Sequence, residues 1–185
     1  MFDVPYSPEY LELMEREKKE EKKRKIKLII APFIKLLLLV IILFILFTQI
    51  FFVHITKGND MYPAIKDGDL IIGYRLDKPK IGDVVVVKKD NVSYVGRVVA
   101  QTGDIIEIDD SGDVKINGSI QSENIFYNTI ADEESNVTYP LTISSDSYFV
   151  LIDMRKNGID SRTYGPVTSN EIVGTAISFL RVRGL

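Results

Sequence analysis

"IGDVVVVKKDNVSYVGRVVAQTGDIIEI", residues 81–108, is the stretch that decides the fold of the C-terminal part of the chain. Its runs of β-branched residues suit strands, and the Gly82-Asp83 and Gly103-Asp104 pairs suit turns. Comparable runs lie on both sides, from "LIIGY" at residues 70–74 to "EIVGTAISFL" at residues 171–180. Since no long amphipathic helix interrupts them, residues 57–185 are predicted to form a mainly β domain, a small antiparallel barrel or sandwich.

Two later segments refine this prediction. In "DIIEIDDSGDVKING", residues 104–118, the stretch 110–112 suits a chain reversal. Apolar residues alternate on either side of it and predict a hairpin with one apolar face, formed by Ile106, Ile108, Val114 and Ile116. Residues 128–146 are polar and interrupted by Pro140, so a long surface loop is expected there.

A long apolar segment precedes the predicted domain. Residues 26–56 read "IKLIIAPFIKLLLLVIILFILFTQIFFVHIT", and the part from residue 36 to 53 can cross the ~30 Å hydrocarbon layer as a helix. Lys35 can extend its amine to the headgroups, and Pro32 suits the first turn. The segment is too long for a signal peptide, and no small-residue cleavage site follows it. We predict a transmembrane helix over residues 26–56 that remains as an anchor.

The charges that flank this segment predict its orientation. Residues 1–25 form a charged segment, expected to be a solvated helix or a partly disordered tail. Basic residues are concentrated just before the apolar run, at Lys22, Lys23, Arg24, Lys25 and Lys27. The positive-inside rule then places the N-terminus in the cytoplasm and the β domain outside the cell membrane, with a single pass between them.

Composition excludes several kinds of chemistry. The chain has no cysteine, which excludes disulfides, thiolate-bound zinc and cysteine nucleophiles. Its single histidine, His54, cannot form a histidine cluster and is interpreted as an interfacial side chain without a chemical role. The formal net charge of −3 provides no basic face for nucleic acid. Neither a metal, nor a cofactor, nor a nucleic-acid partner is expected.

Three segments, in matching order and spacing, resemble the motifs of bacterial type I signal peptidases, which are membrane-anchored serine proteases with a Ser-Lys dyad. "GNDMYPAIKDGD", residues 58–69, resembles Gly-x-Ser-Met-x-Pro-Thr-Leu-x-x-Gly-Asp. "YVGRVVAQTGD", residues 94–104, resembles Tyr-Val-Lys-Arg-Val-Ile-Gly-x-x-Gly-Asp. "DMRKNGIDSRTYGPV", residues 153–167, resembles the box Gly-Asp-Asn-Arg-x-x-Ser-x-Asp-Ser-Arg-x-Phe/Tyr-Gly-Pro-Val from its second position. The chain is therefore identified as a member of this family.

The resemblance fails at the positions that carry catalysis. The nucleophilic serine falls at Asp60, the general-base lysine at Gly96, and the serine that orients this lysine at Gly158. An ionised carboxylate is a poor nucleophile toward an amide and opposes the developing oxyanion, and glycine cannot accept a proton. In another serine protease, loss of the nucleophile or the base lowers turnover ~10⁶-fold. We therefore predict a catalytically inactive protein.

Other features of the family carry over to this chain. The resemblance implies a cleft that holds an extended peptide by β-addition, and the residues that could line it, or only pack the barrel, are Gly58, Met61, Pro63, Val95 and Val98. It also implies that Asp160 and Arg162 support the architecture of the site. For Asp60 itself, pairing with Lys57 or Arg97, backbone hydrogen bonds and simple solvation all remain open.

The substitutions most resemble the SipA-type proteins of streptococcal pilus loci. That resemblance implies a binding or chaperone factor in surface pilus assembly, with pilin subunits or sortase as partners. Three alternatives remain open: a decoy that captures signal peptides without cutting them, a working signal peptidase with a displaced nucleophile, and an aspartic-type mechanism. The second needs Ser93, Ser161 or another hydroxyl near a lysine such as Lys57. The third needs a second carboxylate beside Asp60, from Asp69, Asp104, Asp153 or Asp160.

Overall fold

The computed structural model of the protein describes residues 7–121, 127–131, 137–156 and 158–181. The chain divides into two compact units, residues 1–48 and 49–185. The described part of the first is helical, and that of the second is built mainly from antiparallel strands. The predicted fold class, a mainly β domain preceded by an apolar helix, is therefore confirmed.

One continuous helix, α1 (Pro8–Ile50), contains most of the charged N-terminal segment and most of the apolar run. Its 43 residues make it about 65 Å long at 1.5 Å per residue. None of its side chains is buried within the protein, as expected of an apolar surface that contacts lipid. Among the described residues it is the one helix long and apolar enough to cross a membrane.

Eleven strands lie in the described part of the second unit, and the larger of the two sheets that they form has seven. In chain order the elements are β1 (Phe51–Ile55), β2 (Leu70–Tyr74), β3 (Val84–Lys89), β4 (Val92–Gln101), β5 (Ile105–Ile108), β6 (Val114–Ile116), β7 (Ser119–Ile120), β8 (Leu141–Thr142), β9 (Ser147–Leu151), the one-turn helix α2 (Ser161–Tyr164), β10 (Val167–Thr168) and β11 (Ile172–Leu180). The larger sheet has the order β1-β2-β11-β3-β4-β9-β10, and its neighbours are antiparallel. β1 therefore forms one edge of this sheet.

The transmembrane helix was predicted to extend to residue 56, and this boundary is wrong. The helix ends at Ile50, and the next five residues form β1, which pairs with β2 from Phe51↔Tyr74 to Ile55↔Leu70. An unbroken apolar run contains no change of periodicity where a spanning helix gives way to a strand. The pairing with β2 decides the boundary, and that pairing is a tertiary interaction.

The smaller sheet has the order β7-β6-β5-β8 and contains the predicted hairpin. Ile106 pairs with Ile116 and Ile108 with Val114, and all four side chains are buried, so this prediction is confirmed. The reversal is closed by a 2.9 Å hydrogen bond from the Gly112 amide to the Asp109 carbonyl. Gly112 has a φ of 86°, a conformation that glycine adopts without the penalty that other residues incur.

Among the residues that the structure describes, buried apolar side chains form three clusters. The Met61 cluster consists of Phe52, Met61, Ile65, Ile71, Val84, Val86 and Ile152. The Val98 cluster consists of Val85, Val87, Val98, Tyr148, Val150 and Val167. The third cluster joins the hairpin to the ends of β4 and β9. Successive valines of β3 alternate between the first two clusters, so this strand is buried on both faces, which explains its continuous apolar sequence.

Residues 128–146 were predicted to be a surface loop, and most of the described residues among them lie outside strands and are exposed or half-buried, but the prediction is wrong at Thr129 and at residues 141–143. The described residues include β8, which pairs with β5, and the fully buried side chains of Thr129 and Ile143. Ile143 belongs to the third apolar cluster. A two-residue strand has too little sequence to show a periodic pattern. Residues 132–136 lie outside the described part of the chain.

Candidate functional site

A groove of about 380 Å³ lies between the end of β1 and the first half of β4. His54–Gly58 form one wall and Asn91–Val95 the other, and the lining is completed by Asp60, Met61 and Ile65. β1 is an edge strand, and β9 pairs with β4 only from Arg97 onward. Both walls therefore offer backbone groups that no described strand uses, and an extended peptide can pair with such groups.

The structure separates the residues that were predicted to line a cleft. Gly58, Met61 and Val95 line the groove, although Met61 is only 3 % exposed and also packs in the core. Pro63 is exposed and lies outside the groove lining, and Val98 is fully buried in the Val98 cluster. Of the two roles left open for these residues, lining a cleft or packing the barrel, Val98 has the second, and Pro63 does not line this groove. Val95 and Val98 are three positions apart on one strand, so their side chains point to opposite faces.

Asp60 joins the first and third motif segments at the groove. Its backbone carbonyl accepts a 2.8 Å hydrogen bond from the Met154 amide. Its Oδ1 atom lies 3.8 Å from the position that a Cβ would take at Gly58 and 3.7 Å from the corresponding position at Gly158. The structure thus brings together the positions of the nucleophile and of the hydroxyl that orients the lysine.

The carboxylate of Asp60 forms no ion pair within the described part of the chain. Arg97 instead donates two hydrogen bonds to Asp153, at 2.9 and 2.6 Å, so the suggested pairing of Asp60 with Arg97 is wrong. Lys57 lines the same groove without reaching Asp60. The groove therefore presents one acidic and one basic side chain that are not paired with each other.

The electrostatics of the groove follow from partial burial. Asp60 is exposed as a whole residue, but burial of its carboxylate raises its pKa, and the nearby charge of Asp160 raises it further. Burial lowers the pKa of His54, and the positive charge of Lys57 adds to this effect. His54 is therefore neutral at pH 7, whereas an ionised Asp60 is disfavoured relative to its state in water.

Replacing Asp60 with asparagine is expected to raise the melting temperature at pH 7. A carboxyl group whose pKa is raised on folding stabilises the fold below its unfolded pKa of 3.8 and loses that contribution as pH rises through the folded pKa. Asparagine removes this penalty, so the gain should disappear below about pH 3.8. Thermal denaturation at pH 7 and below about pH 3.8 tests this. The control is Asp77→Asn, because Asp77 is an exposed aspartate outside the groove lining. A wild-type protein more stable than Asp60→Asn at pH 7 contradicts it.

Gly96, at the position of the general-base lysine, has no room for a side chain. It pairs with Val85 in the ladder between β3 and β4. A Cβ atom at this position would lie 2.6 Å from Cγ1 of Val150 and 3.1 Å from the carbonyl oxygen of Leu151. It would point toward the Val98 cluster, and Gly96 is not among the residues that line the groove. A side chain at position 96 would therefore begin in the Val98 cluster, outside the groove lining that contains Asp60.

Ile152 fills the space beside Gly158. A Cβ atom at Gly158 would overlap with Cδ1 of Ile152, which is 1 % exposed and belongs to the Met61 cluster. Ile152 was not predicted to be part of the site. The sequence did contain a signal for it: an ungapped alignment places Ile152 at the position of the glycine that begins the third motif of the family. An aliphatic side chain thus occupies the space that a serine at position 158 would need.

Asp160 and Arg162 form a buried ion pair that holds this part of the site together. The guanidinium donates two 2.9 Å hydrogen bonds to the carboxylate, which also caps α2 through the Arg162 amide and accepts from the Ile152 amide. Arg162 further donates to the carbonyls of Ile130 and Arg155. The pair makes hydrogen bonds to four backbone groups in three segments of the chain, as a structural role requires.

The other candidate catalytic groups differ in their availability. Ser161 is fully buried, and its hydroxyl accepts a 2.9 Å hydrogen bond from the Val150 amide. Asp160 is close enough to influence Asp60, but its pairing with Arg162 prevents it from sharing a proton in an aspartic-type site. The remaining carboxylates are engaged elsewhere, Asp153 with Arg97, and Asp69 and Asp104 with backbone amides. Ser93 is exposed and lines the groove together with Lys57.

The family assignment follows from comparison with known sequences. Residues 29–180 match the family model described as signal peptidase, peptidase S26. The match covers most of the chain and includes most of the apolar part of α1, the groove and the buried ion pair. The chain therefore belongs to the signal peptidase family.

Individual relatives agree with this assignment. The chain is 30% identical over 139 residues to a signal peptidase I of Bacillus amyloliquefaciens. The aligned region covers 69% of this chain and 74% of that protein. It is 28% identical over 134 residues to thylakoidal processing peptidase 1 of Arabidopsis thaliana, covering 63% of this chain but only 38% of the plant protein. A solved structure of a signal peptidase I from Enterococcus faecalis V583 matches 54% of this chain and 97% of its own, at 27% identity and a TM-score of 0.45.

Proposed function

We propose that this member of the family is a membrane-anchored protein that binds extended polypeptide without cleaving it. The observation that carries this proposal is a contrast between the groove and the catalytic positions: both walls of the groove are present, whereas the positions that carry catalysis in the family hold Asp60, Gly96 and Gly158. The basic residues that precede the apolar part of α1 support a cytoplasmic N-terminus and an extracellular β domain.

Chemistry supports the loss of catalysis. Acyl transfer by a Ser-Lys dyad needs an alcohol, and an amine that takes its proton as the oxygen attacks. Asp60 supplies a carboxylate whose charge opposes the oxyanion, and Gly96 supplies no base. This chain therefore differs from a peptidase with a Ser-Lys dyad in its packing as well as in its sequence, because Gly96 is crowded and Ile152 fills the space beside Gly158. The surrounding core leaves little space for the side chains of a dyad and its orienting serine at positions 96 and 158.

Backbone geometry supports retained binding. Peptide addition to a strand depends on main-chain hydrogen bonds, and neither the nucleophile nor the base contributes to these. β1 and the first half of β4 have the required unpaired edges. Met61 and Val95 provide an apolar surface on which side chains of the bound segment can rest. Binding can therefore persist where cleavage does not.

The biological role that fits is a binding or chaperone factor in surface pilus assembly. Its support is the resemblance of the substituted positions to the SipA-type proteins of pilus loci. The partners expected on that basis are pilin subunits or the sortase that joins them. A capture protein for signal peptides would use the same groove, so the identity of the bound polypeptide decides between the two roles.

Purified full-length protein in nanodiscs should bind polypeptide and leave it intact. The test incubates the protein with a signal-peptide substrate, a mature pilin subunit and a sortase, and measures binding by biolayer interferometry and cleavage by mass spectrometry. Binding of pilin or sortase supports the assembly role, and binding of the signal peptide alone indicates a decoy. Cleavage of the signal peptide at a defined bond would overturn the proposal.

A second candidate function is an active signal peptidase with a displaced nucleophile. The observation that favours it is the presence of Ser93 and Lys57 in one groove, together with relatives that are named as peptidases. If cleavage is found, Ser93→Ala should abolish it. Ser119→Ala, an exposed serine on the smaller sheet, is the matched control and should leave it unchanged. Cleavage that survives Ser93→Ala excludes this mechanism.

A further inference from the structure

Asp60 is the one carboxylate among the residues that line the groove. The other charged side chain of the lining is Lys57, and His54 is held neutral at pH 7 by its lowered pKa. No described basic side chain forms an ion pair with Asp60. In the free protein, water therefore supplies the solvation that this carboxylate needs.

The guanidinium groups of the second and third motif segments are paired with other carboxylates. Arg97 is held by Asp153 and Arg162 by Asp160, each through two short hydrogen bonds. Neither guanidinium can turn to Asp60 without leaving another carboxylate unpaired. Asp160 repels Asp60 rather than stabilising it. Among the described residues, Lys57 is the one cation of the groove lining, and it forms no ion pair with Asp60 in this structure.

A bound polypeptide would remove that water. Covering an ionised carboxylate with peptide is unfavourable unless the ligand replaces the lost solvation with hydrogen bonds or an opposite charge. An apolar or acidic side chain next to Asp60 leaves the penalty in place or increases it. An ammonium or guanidinium group pairs with the carboxylate and offsets the penalty.

We infer that Asp60 makes the groove selective for a polypeptide segment that carries a basic side chain at the position facing Gly58 and Gly158. The inference rests on the proposed function and specifies the polypeptide that the same groove accepts. Selectivity of this kind arises because a carboxylate has replaced the catalytic alcohol. The positive charge of Lys57, on the other side of Gly58, repels the same basic side chain. The preference for a basic side chain is therefore limited to the peptide position nearest Asp60.

The experiment uses the full chain in nanodiscs of zwitterionic lipid, so that basic peptides do not bind the bilayer. The probes are fluorescent nonapeptides of alanine and serine with blocked termini, carrying one lysine at each position in turn. Matched peptides carry norleucine, which keeps the aliphatic length without the charge, or glutamate. Fluorescence anisotropy should show about tenfold tighter binding for lysine than for norleucine at one position, and weaker binding for glutamate there.

Variants assign the preference to Asp60. Asp60→Asn should abolish the difference between lysine and norleucine, whereas Asp77→Asn, with the same change in net charge outside the groove lining, should keep it. Lys57→Met should strengthen binding of the lysine peptide. Circular dichroism confirms that each variant is folded. Added salt should reduce the preference, because an ion pair at a partly exposed site is screened.

The outcomes separate this inference from the proposed function. If the peptides bind but lysine and norleucine bind equally, or if Asp60→Asn retains the preference, the inference is wrong and peptide binding stands. If none of the nonapeptides, the signal peptide, the pilin subunit and the sortase binds, the proposed function fails and the inference fails with it.

Discussion

Replacing Arg162 with methionine is expected to lower the free energy of unfolding of the β domain by about 3–5 kcal/mol. Methionine keeps much of the side-chain volume but leaves Asp160, which is 1 % exposed, as a buried charge without its partner. The hydrogen bonds to the carbonyls of Ile130 and Arg155 are lost at the same time. Urea denaturation of the full chain in detergent micelles, followed by the fluorescence of its tyrosines, measures the loss.

Lys89→Met provides the control for this prediction. Lys89 also forms an ion pair, with Glu171 at 3.6 Å, but both side chains are partly exposed to solvent. Lys89 additionally lies over the ring of Tyr164. Pairs of this kind contribute about 1 kcal/mol or less, so the control should be much milder. Equal losses in the two variants would show that the Asp160–Arg162 pair does not hold the site together.

The second large effect concerns Ile152 and Gly158. Ile152→Ala removes a fully buried side chain and should cost about 2–5 kcal/mol. Gly158→Ser places a hydroxymethyl group against Cδ1 of Ile152 and should cost about 1–3 kcal/mol by overpacking. Because the first change makes room for the second, the double variant should lose less stability than the sum. A double-mutant cycle of unfolding free energies should give a coupling of about 0.5–3 kcal/mol.

Additive losses would mean that Ile152 does not occupy the space of a side chain at position 158.

Close packing also limits attempts to restore the dyad. Asp60→Ser combined with Gly96→Lys should leave cleavage of a signal peptide at the background level, because the lysine meets Val150 and the backbone of Leu151 and no hydroxyl orients it. Efficient cleavage by this double variant is the contrary result.

Alternating apolar residues, turn residues and helix periodicity are short-range sequence patterns, and the elements that depend on them were predicted from the sequence. The hairpin of β5 and β6 was predicted from alternating isoleucines and valines around a glycine-containing turn, and both the pairing and the burial agree. The absence of a long amphipathic helix from the second unit was predicted from periodicity. The structural role of Asp160 and Arg162 came from the family resemblance, and their burial agrees with it.

Tertiary contacts decided the features that sequence reasoning missed. The boundary between α1 and β1 depends on pairing with a strand whose residues lie some fifteen or more positions further along the chain. For Val98 the sequence left two roles open, in the cleft or in the core, and strand alternation places it on the other face from Val95, in the core. Ile152 acts through its packing against Gly158. A motif shows which residue types are present, but the space available to each side chain depends on tertiary packing.

The hydrogen bond between the Met154 amide and the Asp60 carbonyl has a practical consequence. It involves only main-chain atoms, so this hydrogen bond can form whichever side chain position 60 carries. Position 60 can therefore accept a reporter group while the motif segments stay in register. Since the chain has no native thiol, Asp60→Cys would give a uniquely addressable probe site from which to follow occupancy of the groove by an incoming chain.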